Sequence, residues 1–409
     1  MHSNIDDLAR IITLECGKPL PEARGEVMYA AGFLEWYAEE AKRMYGDIIP
    51  APVAGPRKYL TTRQAVGPAA LITPWNFPSA MITRKIAPAF AAGCTVTIKP
   101  AEETPLSALA LCVLAQEAGV PDGVMNVVTV TREDVVAVGT QFCHSDYYRK
   151  ISFTGSTNVG KWLLRESAMS MKRVCLENGG NAPFIIFDDA DLDVALRALM
   201  AAKFRNAGQA CIAANRIYVQ DGVYDKFADM LTSKVSTLVC GDGLSAGVTM
   251  GPLINEAGVT KVDRQVQDCL AKGAILRCGG SAHTELNAQG GTFYLPTVLT
   301  EVTADMQPFL EETFGPVAPL CRFSTEEDVI HQANATRSGL AGYACTSSLS
   351  RAWRVAEELE FGLVGINEGA ISSEVAPFGG MKDSGLGREG GHQGLEAYLE
   401  TKYIHMLTE

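Results

Sequence analysis

Cys211 is a candidate nucleophile, and it lies in the segment FRNAGQACIAAN. Most cysteines are small buried hydrophobes, and a thiol becomes reactive only where its surroundings favour the thiolate. Asn206, Gly208 and Gln209 interrupt a helical pattern just before it, which indicates a thiol presented at a bend. The six histidines are all distant from Cys211 in sequence, so a cysteine protease is disfavoured.

Glu177 and Asn76 could supply a general base and an oxyanion donor. Glu177 ends an apolar run before Gly179-Gly180. A bend there could turn its carboxylate into a cleft, where burial would raise its pKa. Asn76 lies in TPWNFP between two prolines, and a donor held in place before charge develops suits an oxyanion. The alternatives are a solvated carboxylate at a strand end and an asparagine that caps the following helix.

Two further segments could hold a phosphate-bearing ligand. Gly155 and Ser156 lie in FTGSTNVG, where a strand passes into a helix whose first N–H groups could bind a pyrophosphate. This segment is not the GxGxxG fingerprint of dinucleotide-binding proteins. Lys99 and Glu102, in KPAEETP, follow another strand at the end where ligands bind in open α/β sheets, although both could be ordinary surface charges.

The composition is that of a globular protein with more than one hydrophobic core. The chain has 409 residues, of which 47% are apolar and 20% are charged, and these values exclude disordered and fibrous proteins. A net charge of −12 argues against nucleic acids and anionic membranes as partners. The longest uncharged stretch, residues 64–83, contains three prolines and does not predict a membrane-spanning helix.

The cysteine spacing and the N-terminal residues indicate the cellular compartment. Eleven cysteines without CxxC or paired Cys/His spacing predict reduced thiols, with neither a disulfide framework nor a metal site. The first residues show neither the order of a signal peptide nor the Arg- and Ser-rich composition of a transit peptide. We therefore expect a cytoplasmic or mitochondrial-matrix protein with no targeting segment in this chain.

Apolar periodicity predicts two helices followed by two α/β blocks. The N-terminal helices are expected over 5–15 and 21–45. The first block has predicted strands at 69–73, 95–99, 123–129, 150–154 and 174–176 and helices at 79–92, 106–118, 133–142 and 159–168. The second has predicted strands at 183–187, 216–219, 293–299 and 363–366 and helices at 223–238, 261–272, 326–333 and 351–359. This alternation predicts parallel sheets covered by helices, and two further stretches, 58–64 and 398–406, are typical of exposed strands.

Seven segments follow one another along the chain in the order TPWNFP, KPAEETP, FTGSTNVG, LENGGNAP, the Cys211 segment, EETFGPV and PFGGMKDSGLGRE. In this order they resemble the aldehyde dehydrogenase superfamily over essentially the whole chain. The sequences MITRK, FRNAGQAC, INEG and APFGG are most similar to the succinate-semialdehyde branch of that superfamily. The resemblance implies an α/β fold with a Rossmann-like NAD-binding domain at 1–56 and 68–178. It also implies an α/β catalytic domain at 179–383 and oligomerisation strands at 57–67 and 395–409, in a homodimer or homotetramer.

The resemblance also assigns the chemistry. Cys211 would attack the aldehyde carbon, and the Asn76 amide and the Cys211 N–H would hold the oxyanion. Glu177 would activate the water that hydrolyses the thioester. Relatives that pass the acyl group to coenzyme A have no glutamate at that position, so Glu177 favours hydrolysis.

The cofactor contacts follow from the same resemblance. The implied contacts are Trp75, Gly155 and Ser156 near the pyrophosphate, Lys99 and Glu102 at the adenosine ribose, and Glu312 and Phe314 at the nicotinamide ribose and ring. Glu102 predicts NAD rather than NADP, because a carboxylate accepts hydrogen bonds from a 2′-hydroxyl and repels a 2′-phosphate.

Arg84, Arg205 and Ser372 match the residues that bind the substrate's distal carboxylate in the succinate-semialdehyde branch. A guanidinium pairs bidentately with a carboxylate, although a surface arginine is the commoner case. The predicted reaction is NAD-dependent oxidation of succinate semialdehyde to succinate. The alternatives are another ω-carboxy semialdehyde such as glutarate semialdehyde, or a non-catalytic paralogue that binds NAD or a partner subunit.

Three features depart from the family pattern. Asn178 stands where the family usually has Leu, and a buried amide without partners costs about 1–3 kcal/mol and could shift Glu177. Ala213 stands where some relatives have a second cysteine that forms a redox-sensitive disulfide. Family members also carry several dozen residues before the point that matches Met1, so we expect early elements of the cofactor domain to be missing.

Overall fold

The structure, a computed structural model, describes residues 1–408, in which two helices precede alternating strands and helices. Helix ends follow local chemistry: Pro21 lies in the first turn of the second helix, and Gly93 closes the third with a φ of 86°. The α-helices of these residues are α1 Ile5–Cys16, α2 Leu20–Glu40, α3 Ala80–Ala92, α4 Pro105–Glu117, α5 Val135–His144, α6 Thr157–Ser167, α7 Leu192–Phe204, α8 Tyr224–Val235, α9 Glu256–Ala271, α10 Thr284–Asn287, α11 Gln307–Leu310, α12 Glu326–Asn334, α13 Leu349–Glu358 and α14 Gly391–Glu396. None of these helices has the length and apolar character that crossing a bilayer requires.

The strands divide among three sheets and one two-stranded pair. They are β1 Ile48–Ile49, β2 Arg57–Ala65, β3 Ala69–Ile72, β4 Val96–Lys99, β5 Met125–Val127, β6 Lys150–Thr154, β7 Arg173–Glu177, β8 Ala182–Ile186, β9 Ala214–Gln220, β10 Ile275–Cys278, β11 Thr297–Thr300, β12 Val317–Phe323, β13 Ser338–Gly339, β14 Ala341–Cys345, β15 Leu363–Ile366, β16 Met381–Lys382, β17 Gly385–Leu386 and β18 Leu399–Leu407. Pro74 follows β3 and Pro100 follows β4, and proline ends a ladder because it has no N–H to donate.

The first sheet has the strand order β17-β7-β6-β3-β4-β5. Strands β3 to β7 are parallel, and β17 joins the edge antiparallel to β7. From β3 the chain runs outward through β4 to β5 and then crosses back to β6 and β7 on the other side. The strand order therefore reverses between β3 and β6, and open α/β sheets bind ligands outside the carboxyl ends of the strands at such a point.

The second sheet has the order β10-β11-β12-β9-β8-β14-β15 and is parallel except for β10 at its edge. Its middle strands are buried on both faces: Phe184 and Ile186 pack into one hydrophobic cluster and Ile185 into the other. Such strands are continuous apolar runs because helices cover both faces.

The third sheet, β1-β2-β18, is antiparallel, and many of its residues are exposed. β2 and β18 pair along nine residues, from Arg57 with Leu407 to Ala65 with Leu399. Ile48–Ile49, which the predicted division places in the cofactor domain, pair with β2. A role of this sheet in joining subunits stays a prediction.

The element predictions need several corrections. The elements that the sequence analysis does not predict are helices α7, α10, α11 and α14 and strands β1, β10, β12, β13, β14, β16 and β17. Helix α9 begins at Glu256 rather than at residue 261. The strand expected over 293–299 begins only at Thr297, because Pro296 before it cannot donate to the ladder. The second helix ends at Glu40 rather than at residue 45, and one 3₁₀ turn to Arg43 follows it.

Candidate active site

The three predicted catalytic residues line one cavity of about 370 Å³. Asn76 follows β3 and Glu177 ends β7, so both come from the carboxyl edge of the first sheet. Cys211 precedes β9 and therefore comes from the amino edge of the second sheet. The two sheets face each other across this cavity, which lies at the point where the strand order of the first sheet reverses.

A strained turn presents the thiol. Helix α7 ends at Phe204, and Asn206, Ala207 and Gly208 then adopt left-handed conformations with φ of 52°, 54° and 75°. Such a conformation costs a residue other than glycine about 1–2 kcal/mol. Glycine is required at 208, because a Cβ there would lie 2.2 Å from the carbonyl oxygen of Gly315. The predicted bend before Cys211 is therefore observed.

Burial and charge set the state of the thiol. Burial raises the pKa of Cys211 to about 12, while the Arg84 and Arg205 guanidinium groups act in the opposite direction. The resting side chain is therefore the neutral thiol. The backbone of the same residue packs on Gly180, where a Cβ would lie 2.4 Å from the Cys211 carbonyl oxygen.

The Asn76 amide is held against the Cys211 turn. Its Nδ2 donates to the Gln209 carbonyl oxygen at 3.0 Å, and the residue is 4% exposed. The amide group has a second N–H, which remains for a ligand atom in the cavity. Gln209 is fixed in turn, because its Nε2 donates to Pro252 O at 3.2 Å and its Oε1 accepts from Ile254 N at 2.9 Å.

Glu177 is a buried carboxyl group with no hydrogen-bond partner on either oxygen among residues 1–408. It is 1% exposed. Burial raises its pKa well above the ordinary value, the Glu389 charge adds to this, and Lys85 and Arg84 oppose it. Gly379 lies against it, since a Cβ at 379 would be 2.8 Å from Glu177 Oε1. A carboxyl group of this kind can act as a base near neutral pH.

Five of the seven predicted cofactor residues line the same cavity, and two do not. Trp75, Gly155, Ser156, Glu312 and Phe314 are among its lining residues. The rings of Trp75 and Phe314 meet edge to face, with centroids 5.5 Å apart. Lys99 and Glu102 lie instead at the end of β4, where the Lys99 ammonium donates to the Glu102 carboxylate.

The polar groups of the cavity fit a dinucleotide. Thr154 Oγ1, Asn178 Oδ1 and Thr313 Oγ1 are buried there without a hydrogen-bond partner among the described residues. Ser156 precedes the first residue of α6, so backbone N–H groups at the start of this helix are oriented to bind a phosphate. Position 155 leaves no room for a side chain, since a Cβ there would lie 2.5 Å from the ring of Phe153.

Lys261 and Asn255, which sequence analysis missed, also line this cavity. Asn255 caps helix α9 by accepting from Gly258 N, and Lys261 is the sixth residue of that helix. Burial raises the pKa of Glu312 to about 7, and Lys261 opposes this shift. Asn255 is the sequence signal for this helix start, because asparagine is a favoured N-cap residue, whereas the predicted helix begins only at residue 261.

The predicted carboxylate-binding residues line a second cavity, of about 330 Å³. Arg84, Arg205 and Ser372 all line it, and Cys211 lines both cavities. Arg84 is fully buried, and its Nη2 donates to Tyr29 Oη at 2.5 Å and to Ser372 Oγ at 3.2 Å. The Arg205 guanidinium is more exposed and lies 5.1 Å from the ring centroid of Phe77.

The side-chain amide of Asn178, one of the departures from the family pattern, has a hydrogen-bond partner for one of its two polar atoms. Its Nδ2 donates to Asp383 O at 3.0 Å, whereas its Oδ1 has no partner in residues 1–408. Gly160 on α6 packs against this amide, and a Cβ there would lie 2.1 Å from Oδ1. Ala213, the other substituted position, is buried just before β9.

Comparison with known proteins identifies the family to which the chain belongs. The model of the aldehyde dehydrogenase family matches residues 1–404. The chain is 58% identical over 404 residues to the NADP(+) succinate-semialdehyde dehydrogenase of Escherichia coli strain K12, covering 99% of this chain and 82% of that one. It is 54% identical over 404 residues to the glutarate-semialdehyde dehydrogenase of Pseudomonas aeruginosa, with coverage of 99% and 82%. The crystal structure of succinate-semialdehyde dehydrogenase from Burkholderia pseudomallei is 54% identical and superposes with a TM-score of 0.96, over 99% of this chain and 82% of that one.

These matches extend over nearly the whole chain. The α/β fold expected from the sequence is therefore the observed one. The chain belongs to the aldehyde dehydrogenase family.

Proposed function

We propose that this protein oxidises an aldehyde with a distal carboxylate, succinate semialdehyde in particular, to the corresponding acid. The observation that carries the proposal is the second cavity, in which Arg84, Arg205 and Ser372 share walls with Cys211. An aldehyde with its carbon at the sulfur would direct its far end toward two guanidinium groups. Guanidinium groups bind carboxylates with strong, charge-assisted hydrogen bonds.

The chain's own groups suit the first chemical step. Because burial raises the pKa of the Cys211 thiol to about 12, the thiol has to give up its proton to water as the aldehyde binds, and the charges of Arg84 and Arg205 favour the resulting thiolate. Attack on the aldehyde carbon leaves an oxyanion, which the Asn76 amide and the Cys211 N–H can stabilise. A nicotinamide cofactor, when bound, supplies the hydride acceptor that converts the thiohemiacetal into a thioester.

Glu177 suits the second step, which is hydrolysis of the thioester. Its carboxyl group lines the cavity beside Cys211 and has no other hydrogen-bond partner within residues 1–408. As a carboxylate it can take a proton from water, which then attacks the thioester carbonyl and releases the acid and the thiol. The Glu177 carboxyl therefore supports hydrolysis as the end of the cycle.

We also propose NAD as the cofactor. Glu102 supports this, because its charge repels a 2′-phosphate. The Lys99 ammonium beside it has the opposite charge, and the Escherichia coli relative carries NADP(+) in its name. The preference between the two cofactors therefore depends on how far Lys99 offsets Glu102, and this balance can be measured.

Glutarate semialdehyde is the second candidate substrate. The Pseudomonas aeruginosa relative, at 54% identity, is a glutarate-semialdehyde dehydrogenase. The two substrates differ by one methylene, which is worth about 1–3 kcal/mol in a fitted site. Their kcat/KM values on this enzyme therefore decide between them, and the larger value is expected for succinate semialdehyde.

The function is tested by NADH formation from succinate semialdehyde and NAD. Wild-type protein should turn over, and Cys211→Ala should lose about a thousandfold or more, because the nucleophile is gone. Cys112→Ala, a half-buried thiol of α4, is the matched control and should keep full activity. A folded wild-type protein that binds NAD without turnover would instead support a non-catalytic binding protein.

The hydrolytic role of Glu177 predicts a pH dependence. Since burial raises its pKa, the carboxyl group is protonated and inactive at low pH, and thioester hydrolysis should speed up as pH rises through that raised pKa. Glu177→Gln should keep a rapid burst of NADH while steady turnover falls about 100-fold or more. The exposed Glu357→Gln is the control. Unchanged turnover and an unchanged pH profile in Glu177→Gln would contradict the role.

The carboxylate clamp predicts a substrate-dependent loss. Arg205→Ala should raise KM for succinate semialdehyde about 10- to 100-fold, the effect of losing a charge-assisted pair, and should spare propionaldehyde, which has no carboxylate. Arg197→Ala, an exposed arginine of α7, should change neither. Equal losses on both aldehydes would refute the clamp.

The cofactor proposal predicts a higher kcat/KM with NAD than with NADP. Glu102→Gln should narrow this preference by improving NADP, because the repelling charge is gone while its shape remains. The neighbouring Glu103→Gln serves as the control. A KM for NADP below that for NAD in the wild-type protein would overturn the proposal.

A further inference from the structure

A buried ion pair lies directly behind the oxyanion donor. Lys18, between α1 and α2, is 1% exposed, and its Nζ donates to Glu26 Oε2 at 2.6 Å. The same Nζ donates to the backbone carbonyl oxygen of Asn76 at 2.7 Å and lies 3.9 Å from the ring centroid of Phe77. Burying two charges costs several kcal/mol per ion, and apolar residues of similar volume are often at least as stabilising. Packing alone therefore does not account for a charge pair here.

Lys18 contacts one end of the segment of residues 76–80, the Asn76 bend, and Glu26 contacts its other end. Its Oε1 accepts from the backbone N–H groups of Ser79 at 2.8 Å and Ala80 at 3.3 Å, at the start of α3. A carboxylate at a helix N-terminus satisfies free N–H groups and interacts favourably with the helix dipole. Together Lys18 and Glu26 thus fix the chain from Asn76 to Ala80, which carries the Asn76 amide.

The fixed carbonyl also contacts the turn that carries the nucleophile. Asn206 Nδ2 donates to Asn76 O at 3.0 Å and to Gln209 O at 3.2 Å. Asn76 Nδ2 donates to Gln209 O as well. The backbone and the side chain of Asn76 are therefore both hydrogen-bonded to the Cys211 turn, and the Lys18 ammonium is the charged donor to the Asn76 carbonyl oxygen.

We propose that Lys18 and Glu26 are positioning residues for the oxyanion site. The Lys18 ammonium, oriented by Glu26, fixes the Asn76 peptide so that its side-chain amide stays directed at the oxygen that becomes negative. The proposal rests on the role of Asn76 in the proposed function. Preorganised donors stabilise a developing charge only where they need not reorient during the reaction, so loosening the peptide slows acylation more than it weakens aldehyde binding.

The test is a double-mutant cycle on the acylation rate. Lys18→Met combined with Glu26→Gln removes both charges, keeps the length of residue 26 and nearly that of residue 18, and leaves neither partner of the pair as an unpaired ion. The rate of the NADH burst with succinate semialdehyde is measured for this pair in the wild-type and in the Asn76→Ala background. The expected result is a loss of about tenfold in the wild-type background and no further loss in Asn76→Ala.

The other possible outcomes contradict either the positioning role of the pair or the oxyanion role of Asn76. An equal loss of burst rate in both backgrounds overturns the positioning role, because the pair then acts independently of Asn76. A burst rate that Asn76→Ala leaves unchanged refutes the oxyanion role of Asn76 in the proposed function instead. Glu26→Gln alone, which keeps Lys18, provides a milder variant if the double substitution unfolds, and its smaller loss should vanish in Asn76→Ala in the same way.

A matched control lies on the same two helices. Arg24 of α2 and Asp6 of α1 form an exposed ion pair with Nε and Oδ1 2.9 Å apart. Arg24→Met combined with Asp6→Asn should leave the burst rate unchanged, since exposed pairs contribute little and this one does not contact the Asn76 bend. A loss equal to that of the buried pair would show a general loosening of α1 and α2 and would contradict the proposal.

Discussion

The hydrogen bond from Asn76 Nδ2 to the Gln209 carbonyl, 3.0 Å long, joins the two halves of the active site. One partner follows the first strand of one parallel sheet, and the other precedes Cys211 at the edge of the second sheet. Because the two residues are 133 positions apart, the contact exists only when both sheets are formed and face each other. The proposed chemistry depends on this contact, since it sets the donor amide against the nucleophile.

The energetic cost of the site is concentrated around that contact. Glu177 and Arg84 are buried, and the non-glycine residues Asn206 and Ala207 have left-handed backbone conformations. None of these features stabilises the fold by itself. The apolar clusters on both faces of the second sheet provide the stability that holds them, with Phe184 and Ile185 packing on opposite faces of the same strand. A rigid, doubly covered sheet can therefore present strained and charged groups at its edge without losing their geometry.

The parts of the fold that follow from local chemistry could be predicted from the sequence. Strand β3 (AALI) is a continuous apolar run and β6 (KISFT) contains Ile151 and Phe153 before Gly155, and residues that follow both strands line the cavity. Strand β14, with the sequence AGYAC, lacks β-branched residues and gives no local signal, because only its burial between β8 and β15 makes it a strand. The sequence gives no signal for the pair Lys18 and Glu26, since their partners at residues 76 to 80 are brought to them only by tertiary packing.

Covalent catalysis at Cys211 is tested most directly by trapping the acyl group. Glu177→Gln protein is mixed with NAD and succinate semialdehyde, quenched within the burst, digested and analysed by mass spectrometry. The predicted result is a succinyl group on the peptide that contains Cys211, in an amount equal to the NADH formed. NADH release with no acyl group on any peptide, or with the group on another cysteine, would contradict the mechanism.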